Sequence, residues 1–321
     1  VNYTDGTLHL TFSEIIDQSP PSDVDLSKFV IQNVSGSSNG IILDGADITS
    51  GDGTTLNITM TELQRVSSIA ISGTPGGDRH PVIIDLHDGA IHDISHNNLS
   101  TTLNFPVDES LDDRPPRLAT AVIDYGYGYM LLEADEFVDL TPIGLVNESS
   151  LRLSNVSGDY RISTAYKSVY TFSGDGYFFN LSLTELQRVN AIANSRTPGG
   201  DGSPLVLDAF AGAFKDIGTN PSILQPNFPV KEIPDAFPPR VVYAEIHYGL
   251  FYVKFGSNEF VDTTPESKLN LSNLFISNAT GEYAVSMDLP GVSIKEEDGY
   301  NVTITITEPI RVAAMKLSKT F

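Results

Sequence analysis

The chain has 321 residues, of which 40% are hydrophobic and 9% aromatic, and it contains neither cysteine nor tryptophan. Its 41 acidic and 19 basic residues leave a formal net charge of −22, which repels nucleic acid and anionic lipid and makes both poor partners. The absence of cysteine excludes disulfides, thiol catalysis and cysteine-bound metals, so each domain depends on its core alone. No apolar run reaches the length of about 18 residues that a transmembrane helix needs, so no membrane span is predicted.

The chain is built on a repeat. The motif TELQRV at residues 61–66 returns 123 residues later at 184–189, and a variant, TEPIRV, follows after the same interval at 307–312. The motifs TPGGD, NFPV, PPR and NVSG recur with it. Modules of this length can bury a core of their own, unlike the short repeats of solenoids. We therefore predict three tandem modules, at residues 1–114, 115–237 and 238–321.

The second module shows the fullest set of predicted elements. Short runs rich in β-branched and aromatic residues alternate with clusters of Gly, Pro, Asn and Asp, a pattern typical of an antiparallel sandwich of about seven strands. The runs lie at or near residues 118–126, 127–137, 150–158, 160–166, 177–183, 205–210 and 227–230. The first module lacks most of the first strand, and the third lacks the last two. The predicted fold is all-β: three tandem Ig-like antiparallel β-sandwiches, of which the outer two are incomplete.

One short helix is predicted to interrupt the strands of each module. In the second module Thr184 is a predicted N-cap, and Glu185 and Arg188 stand three residues apart. Leu186 and Val189 are expected to point toward the core. The TPGGD motif that follows predicts a tight turn, because paired glycines accept positive φ. We interpret its recurrence as geometry rather than catalysis, since no nucleophile or base accompanies it.

Two further motifs recur at the start and the end of the modules. LTFSEIID at 10–17 and LEADEFVD at 132–139 open the first two modules, and DGAIHDISHNN at 88–98 and AGAFKDIGTN at 211–220 lie near their ends. These motifs resemble the opening strand and the closing turn of the bacterial-type Ig-like domains that occur in tandem in S-layer and other large surface proteins. The resemblance covers essentially the whole chain and implies an extracellular, architectural setting, although a fold does not by itself imply a function.

Acceptor motifs for N-glycosylation are the most informative chemical signal. The pattern N-x-S/T, with x other than proline, occurs at ten of the 19 asparagines, where chance predicts about four. The ten are Asn2, Asn33, Asn57, Asn98, Asn147, Asn155, Asn180, Asn270, Asn278 and Asn301. Several share a module position, so duplication of the module could also have copied them. We predict N-glycans on these residues, a eukaryotic secretory origin, and an extracellular or cell-surface location.

Acidic turns offer weak candidates for a calcium site. Asp52 and Asp175 lie in GDG turns, Asp78 and Asp201 end the TPGGD motifs, and the acidic run DESLDD at 108–113 precedes the first joint. Carboxylate oxygens are ligands that calcium prefers. No spacing matches an EF-hand loop, however. The sequence therefore predicts no cofactor, with calcium at these residues as the alternative.

Three histidines lie close together in the sequence. His87, His92 and His96 share one turn region, an arrangement that can bind zinc. The residues at the same positions of the second module are Phe210, Lys215 and Thr219. Because the module does not require histidine there, we interpret the three as loop or surface residues.

The leading hypothesis for function is structural. No Ser/His/Asp arrangement, pair of catalytic carboxylates, P-loop or dinucleotide fingerprint recurs, so we predict that the chain is not an enzyme. We predict a subunit of a heavily N-glycosylated extracellular filament or surface array, in which strands of neighbouring copies complete the first and third modules and give head-to-tail homopolymers. The alternative is an adhesin-type cell-surface protein that binds its ligand through inter-strand loops. A carbohydrate-active accessory domain is disfavoured, because there is no tryptophan to stack on sugars.

Overall fold

The computed structural model describes residues 1–34, 36–142, 144–155, 161–163, 174–279, 284–295 and 297–318. The chain divides into two compact units, Val1–Pro234 and Asp235–Phe321. The first unit contains two hydrophobic cores and the second contains one. Each core lies inside one of the three predicted modules, whose boundaries at 114 and 237 remain predictions.

The described part of the first module has strands in two sheets and one helix. In chain order they are β1 (Thr7–Ile16), β2 (Phe29–Gln32), β3 (Ile41–Ile42), β4 (Asp47–Ile48), β5 (Gly53–Thr59), α1 (Glu62–Ala70), β6 (Ile83–Leu86) and β7 (Thr102–Pro106). One sheet has the order β1-β5-β4 and the other β3-β2-β6-β7, and all pairs are antiparallel. Leu8 and Leu56 of the first sheet pack on Phe29 and Ile84 of the second to form the core.

The second module repeats this plan and adds a strand at each end. Its elements are β8 (Leu118–Asp124), β9 (Tyr129–Val138), β10 (Leu151–Asn155), β11 (Arg161–Ser163), β12 (Gly176–Ser182), α2 (Glu185–Ala193), β13 (Leu205–Ala209), β14 (Gln225–Pro229) and β15 (Lys231–Ile233). The sheets have the orders β12-β9-β8-β15 and β11-β10-β13-β14. Strand β15 was not predicted. It has only three residues, two of them charged, so it shows no alternation of apolar and polar side chains that would predict a strand. It pairs with β8 in parallel.

The third module has a related first sheet and a reduced second one. Its elements are β16 (Val241–His247), β17 (Tyr252–Val261), β18 (Phe275–Ile276), β19 (Val285–Ser286), β20 (Ser293–Ile294), β21 (Gly299–Thr305) and α3 (Glu308–Leu317). One sheet has the order β16-β17-β21-β20, while the other contains only β18 and β19 among the described residues. In the first sheet β16, β17 and β21 take the places of β8, β9 and β12, and β20 pairs with β21 as β4 pairs with β5.

The structure confirms the predicted fold of three tandem β-sandwiches, and the outer two are incomplete in the described residues. In the first module only residues 1–3 represent the end of β8, where Asn2 forms isolated bridges with Thr7 and Ser110. In the described residues the third module has no counterparts of β13 and β14. The consequence is visible in burial: Leu118 of β8 is 4% exposed, whereas Val241, at the same position of β16, is 63% exposed. Without a second sheet of full width, β16 leaves apolar side chains in water.

The predicted helix cap is present, but the orientation predicted for the helix was wrong at Leu186. Thr184 and Gln187 form a capping box in which each side chain accepts a hydrogen bond from the other's backbone amide. Leu186 is 58% exposed, and the buried face of α2 carries Gln187 and Arg188 instead. The reason is that Arg188 donates to the carbonyl of Tyr125 at 3.1 Å, which fixes a polar face of the helix against the module.

Removing the cap of α2 tests how much this local structure contributes. In the variant Thr184→Ala the Gln187 amide loses its acceptor, and we expect a loss of about 1 kcal/mol in the free energy of unfolding. Thr184→Ser keeps the oxygen and is the matched control. Chemical denaturation of both variants measures the difference, and equal stabilities would show that the cap contributes nothing.

Candidate functional site

The two modules of the first unit meet around one buried arginine, Arg65 of α1. Its guanidinium donates two hydrogen bonds of 2.7 Å to Glu62, one helical turn earlier. It also donates to the carbonyl of Tyr3 at 2.9 Å and to Asp112 at 2.6 Å. Asp112 lies in the linker, the segment between β7 and β8. A further N–H reaches Glu136 of β9, in the second module, at 2.9 Å. The planar fork of the guanidinium thereby joins both modules and the linker.

Backbone groups close the joint around this arginine. The amide of Phe137, at the end of β9, donates to Glu62 at 3.0 Å. The side chain of Asn220, in the turn between β13 and β14, donates to the carbonyl of Asp112 at 3.1 Å. These bonds bring the start of α1, the linker and a turn of the second module into direct contact. The joint is therefore a packed interface and not a free linker.

Glycine permits the closest approach in this interface. Gly76 of the first TPGGD motif has φ 89°, and a β-carbon there would overlap the carbonyl oxygen of Ile217 in the second module. Gly218, which follows Ile217 in the chain, lies against Asp112. A β-carbon added at Gly218 would stand 2.9 Å from the β-carbon of Asp112. The predicted role of the TPGGD glycines in turn geometry agrees with these values. Their role at the joint was not predicted.

Three buried carboxylates converge beside Arg65. Asp112, Glu136 and Asp216 each offer one oxygen within 4.8 Å of the other two. The carboxylate of Asp216 accepts hydrogen bonds from the backbone and the side chain of Asn220, at 2.7 and 2.9 Å. The Oε1 atom of Glu136 is buried and has no hydrogen-bond partner. When all three groups are ionised, the cluster therefore contains more negative charge than one arginine balances.

Burial changes the acidity of these carboxyl groups, because removal of water disfavours the charged form. Burial raises the pKa of Glu136 to about 8, with Asp216 and Asp112 adding to the rise and Arg65 opposing it. Burial likewise raises the pKa of Asp216 to about 6, against the hydrogen bonds from Asn220. Burial alone would lower the pKa of Arg65, but its carboxylate partners outweigh it and hold the guanidinium charged. The arrangement fixes geometry and offers a place for a further positive charge.

A second feature is an open groove along the edge of β1. It has a volume of about 400 Å³, and its apolar lining includes Leu10 and Phe105. In the second module β8 fills the matching place, where it pairs with β9 and exchanges hydrogen bonds of 2.7 and 3.1 Å between Leu118 and Gln225. Phe105 is exposed, whereas its counterpart Phe228 packs against the core. The groove is thus the place of a β-strand.

The predicted glycosylation sites differ in their surroundings. The exposed ones are Asn98, Asn147, Asn270, Asn278 and Asn301, and the half-buried ones are Asn2, Asn33, Asn57 and Asn180. Asn155 is 7% exposed, and its side chain lies 3.5 Å from Asp201. Asn33, at the same module position, donates to Asp78. Modification at Asn33 and Asn155 therefore competes with a structural hydrogen bond, and all ten sites stay predictions.

The four aspartates named as weak calcium candidates stabilise local backbone structure through hydrogen bonds. Each accepts a hydrogen bond of 2.8 or 2.9 Å from a backbone amide. Asp52, Asp78, Asp175 and Asp201 accept from Gln18, His80, Leu140 and Ser203, respectively. All four are exposed, and none belongs to the two groups of three or more ligand-type side chains in the described part of the chain.

The structure brings two of the three clustered histidines together with an acid that was not predicted. His92, His96 and Asp17 each offer a ligand atom within 4.8 Å of the others, and the two imidazole rings lie 5.1 Å apart. His87 is not part of this group. Asp17 directly follows β1, which places it beside the turn that carries both histidines.

Sequence reasoning missed the residues of the joint except Asp112, which lies in the DESLDD run named as a calcium candidate. Arg65 and Glu62 recur in every copy of the TELQRV motif, including TEPIRV, and that recurrence of a charged pair was the available signal. Glu136 and Asp216 lie inside the two motifs LEADEFVD and AGAFKDIGTN. Nothing local distinguishes them from surface acids, because their burial depends on the neighbouring module.

Comparisons with known proteins add little to this description. No protein-family model matches the chain, and no curated protein matches it either. Among solved structures, murine CEACAM1b is similar at 10% identity over 65% of this chain and 86% of its own, with a TM-score of 0.13. Titin domains I67–I69 align at 9% identity over 94% and 81%, and a marsupial T cell receptor at 10% over 96% and 90%, both with TM-scores of 0.18. Scores this low carry no argument, so the Ig-like β-sandwich assignment stands on the strand pairing itself.

Proposed function

We propose that the chain is a structural subunit of a heavily N-glycosylated extracellular filament or surface array, assembled head to tail from identical copies. One observation carries the proposal. The described first module leaves open most of the place that β8 fills in the second, beyond residues 1–3, and the third module exposes β16, the counterpart of β8. The exposed strand of the third module is therefore of the kind that would fit the groove of the first module in another copy.

Strand β16 is the proposed donor. In the described residues it pairs only with β17, whereas β8 pairs on both sides, with β9 and with β15. Val241 and Val242 are both exposed on it. A strand with one free edge and exposed apolar side chains is a ready template for pairing with another chain. The occupant of the groove is thus proposed to be β16 of a second copy.

The groove of the first module is the proposed acceptor. Strand β1 is an edge strand of its sheet. Beyond Thr7, whose backbone pairs with Asn2, its outer backbone groups are the proposed place of strand addition. Main-chain hydrogen bonds along β1 would supply affinity, and the apolar lining would supply specificity. Because donor and acceptor surfaces differ, the contact is heterologous, and heterologous contacts produce open filaments when the rotation between copies does not close a ring. We propose the open form for this chain.

The proposal has three further parts: N-glycosylation, an extracellular or cell-surface location, and a non-enzymatic function. Five of the ten acceptor asparagines are exposed, and we propose that these carry N-glycans first, which implies an extracellular or cell-surface location. None of the helices in the described residues has the length and apolar character to cross a membrane. A non-enzymatic, structural function is also proposed, as the sequence predicts.

Electron microscopy of the purified chain over a range of concentrations, with intact mass before and after deglycosylation, tests the proposal. We expect filaments and a mass well above 34.7 kDa. Val242→Asp puts a charge on the free strand and should abolish assembly. Leu63→Asp is the matched control, because Leu63 is equally exposed but lies on α1 and is not among the residues that line the groove.

Two results would count against the proposal. Single particles of the unmodified mass at every concentration would contradict both assembly and glycosylation, and would favour the adhesin-type alternative. Filaments that form equally well with Val242→Asp would show that the chain polymerises by another surface.

A further inference from the structure

We propose that the joint between the first two modules binds a divalent cation, calcium, through Asp112, Glu136 and Asp216. The linker, β9 and the turn between β13 and β14 each contribute one of these ligands. Their nearest oxygens lie within 4.8 Å of one another. Calcium binds oxygen at about 2.3–2.6 Å, so oxygens on opposite sides of one ion stand about 5 Å apart. One ion therefore fits between the three without a change of fold.

The unpartnered oxygen of Glu136 points to a ligand. The residue is 5% exposed, and its Oε1 atom accepts no hydrogen bond while Oε2 accepts one from Arg65. A buried polar atom without a partner is costly, and such atoms are rare in folded proteins. A cation at this oxygen would remove the cost.

Charge and donor type identify the ion. Arg65 is the one basic group that pairs with Asp112, Glu136 and Glu62 among the described residues, and Asp216 adds a further buried acid. A divalent cation brings this excess of negative charge close to balance. All the proposed ligands are carboxylate oxygens, which favour calcium over transition metals that prefer nitrogen or sulfur. Because Arg65 repels a second cation, we expect a dissociation constant of about 10⁻⁴–10⁻³ M, the range of extracellular calcium modules.

The first module provides internal controls. Glu14 and Asp93 occupy the same module positions as Glu136 and Asp216. Glu14 is exposed and Asp93 is half-buried, and neither belongs to a described group of ligand-type side chains. The proposed site therefore requires a joint as well as the motifs, and it is independent of the filament.

Calcium titration of the metal-free full-length chain tests the proposal. After dialysis against EDTA, isothermal titration with calcium chloride should show one ion bound per chain, and calcium should raise the unfolding temperature of the first unit. Glu136→Gln and Asp216→Asn keep the size of each side chain and should each weaken binding at least tenfold. Glu14→Gln and Asp93→Asn should bind calcium as the unmodified chain does.

Three results would overturn the proposal. The first is no binding at calcium concentrations about tenfold above the weakest expected dissociation constant. The second is binding that Glu136→Gln and Asp216→Asn leave unchanged, which would place the ion elsewhere. The third is a calcium-insensitive chain that becomes more stable with Glu136→Gln, which would show that Glu136 holds a proton in place of an ion.

Discussion

Replacing Arg65 by methionine is expected to lower the free energy of unfolding of the first unit by about 3–5 kcal/mol, because breaking a buried ion pair leaves uncompensated charge. Methionine keeps the apolar stem of the side chain but removes every hydrogen bond to Tyr3, Glu62, Asp112 and Glu136. Guanidinium denaturation in the presence of EDTA measures the loss without any contribution from bound metal.

The matched control for this substitution is Arg311→Met. Arg311 occupies the same position of the repeated motif in α3, where it pairs with Glu308 at the surface. Exposed pairs contribute little, because water screens them, so a much smaller loss is expected. Similar losses for both variants would show that the buried network at the joint adds nothing to a simple helical ion pair.

Gly76→Ala is expected to separate the two modules of the first unit. The new β-carbon would overlap the carbonyl oxygen of Ile217, and the backbone there has φ 89°. Left-handed backbone costs a residue with a β-carbon about 1–2 kcal/mol, and overpacking adds about 1–3 kcal/mol. Because the clash lies between modules, we expect one unfolding transition to become two, which calorimetry resolves.

Gly199→Ala separates backbone strain from the clash. Gly199 occupies the same place in the second TPGGD motif with φ 94°, and the nearest atom to a new β-carbon would be the Ile192 side chain at 3.4 Å. This variant should lose only the cost of the left-handed backbone, about 1–2 kcal/mol, and its two modules should still unfold together. Equal behaviour of both variants would contradict the assignment of Gly76 to the joint.

The fold followed from local signals, because alternation and turn residues act over a few neighbours. The helix cap at Thr184 was predictable for the same reason, since its partner Gln187 lies three residues away. The orientation of the helix was not, because it depends on the bond from Arg188 to the carbonyl of Tyr125. The hydrophobicity of Leu186 predicts a buried side chain, but it carries no information on this contact between residues 63 positions apart in the sequence.

The joint lay beyond sequence reasoning for a related reason. Asp112, Glu136 and Asp216 come from three separate stretches, and only strand order brings them together. The four aspartates and the DESLDD run chosen as calcium candidates stand out locally, whereas Glu136 and Asp216 of the buried cluster do not. Glu14 and Glu136 lie in similar motifs, yet Glu14 is exposed and Glu136 is buried. The motif alone therefore does not determine the environment, and for Glu136 the contact with Arg65 of the first module does.

The position of Arg65 also determines how the pair of modules would carry tension. The guanidinium of Arg65 is hydrogen-bonded to α1, to the linker and to β9. A stretching force applied to the ends of the first unit would therefore be distributed over all three segments. Breaking the hydrogen bond to Asp112 or to Glu136 would leave a buried carboxylate without its positively charged partner and without water. Partial rupture of the network is therefore costly. Under force the two sandwiches would therefore yield as one piece, and the weakest point of the first unit would lie inside a module and not between modules.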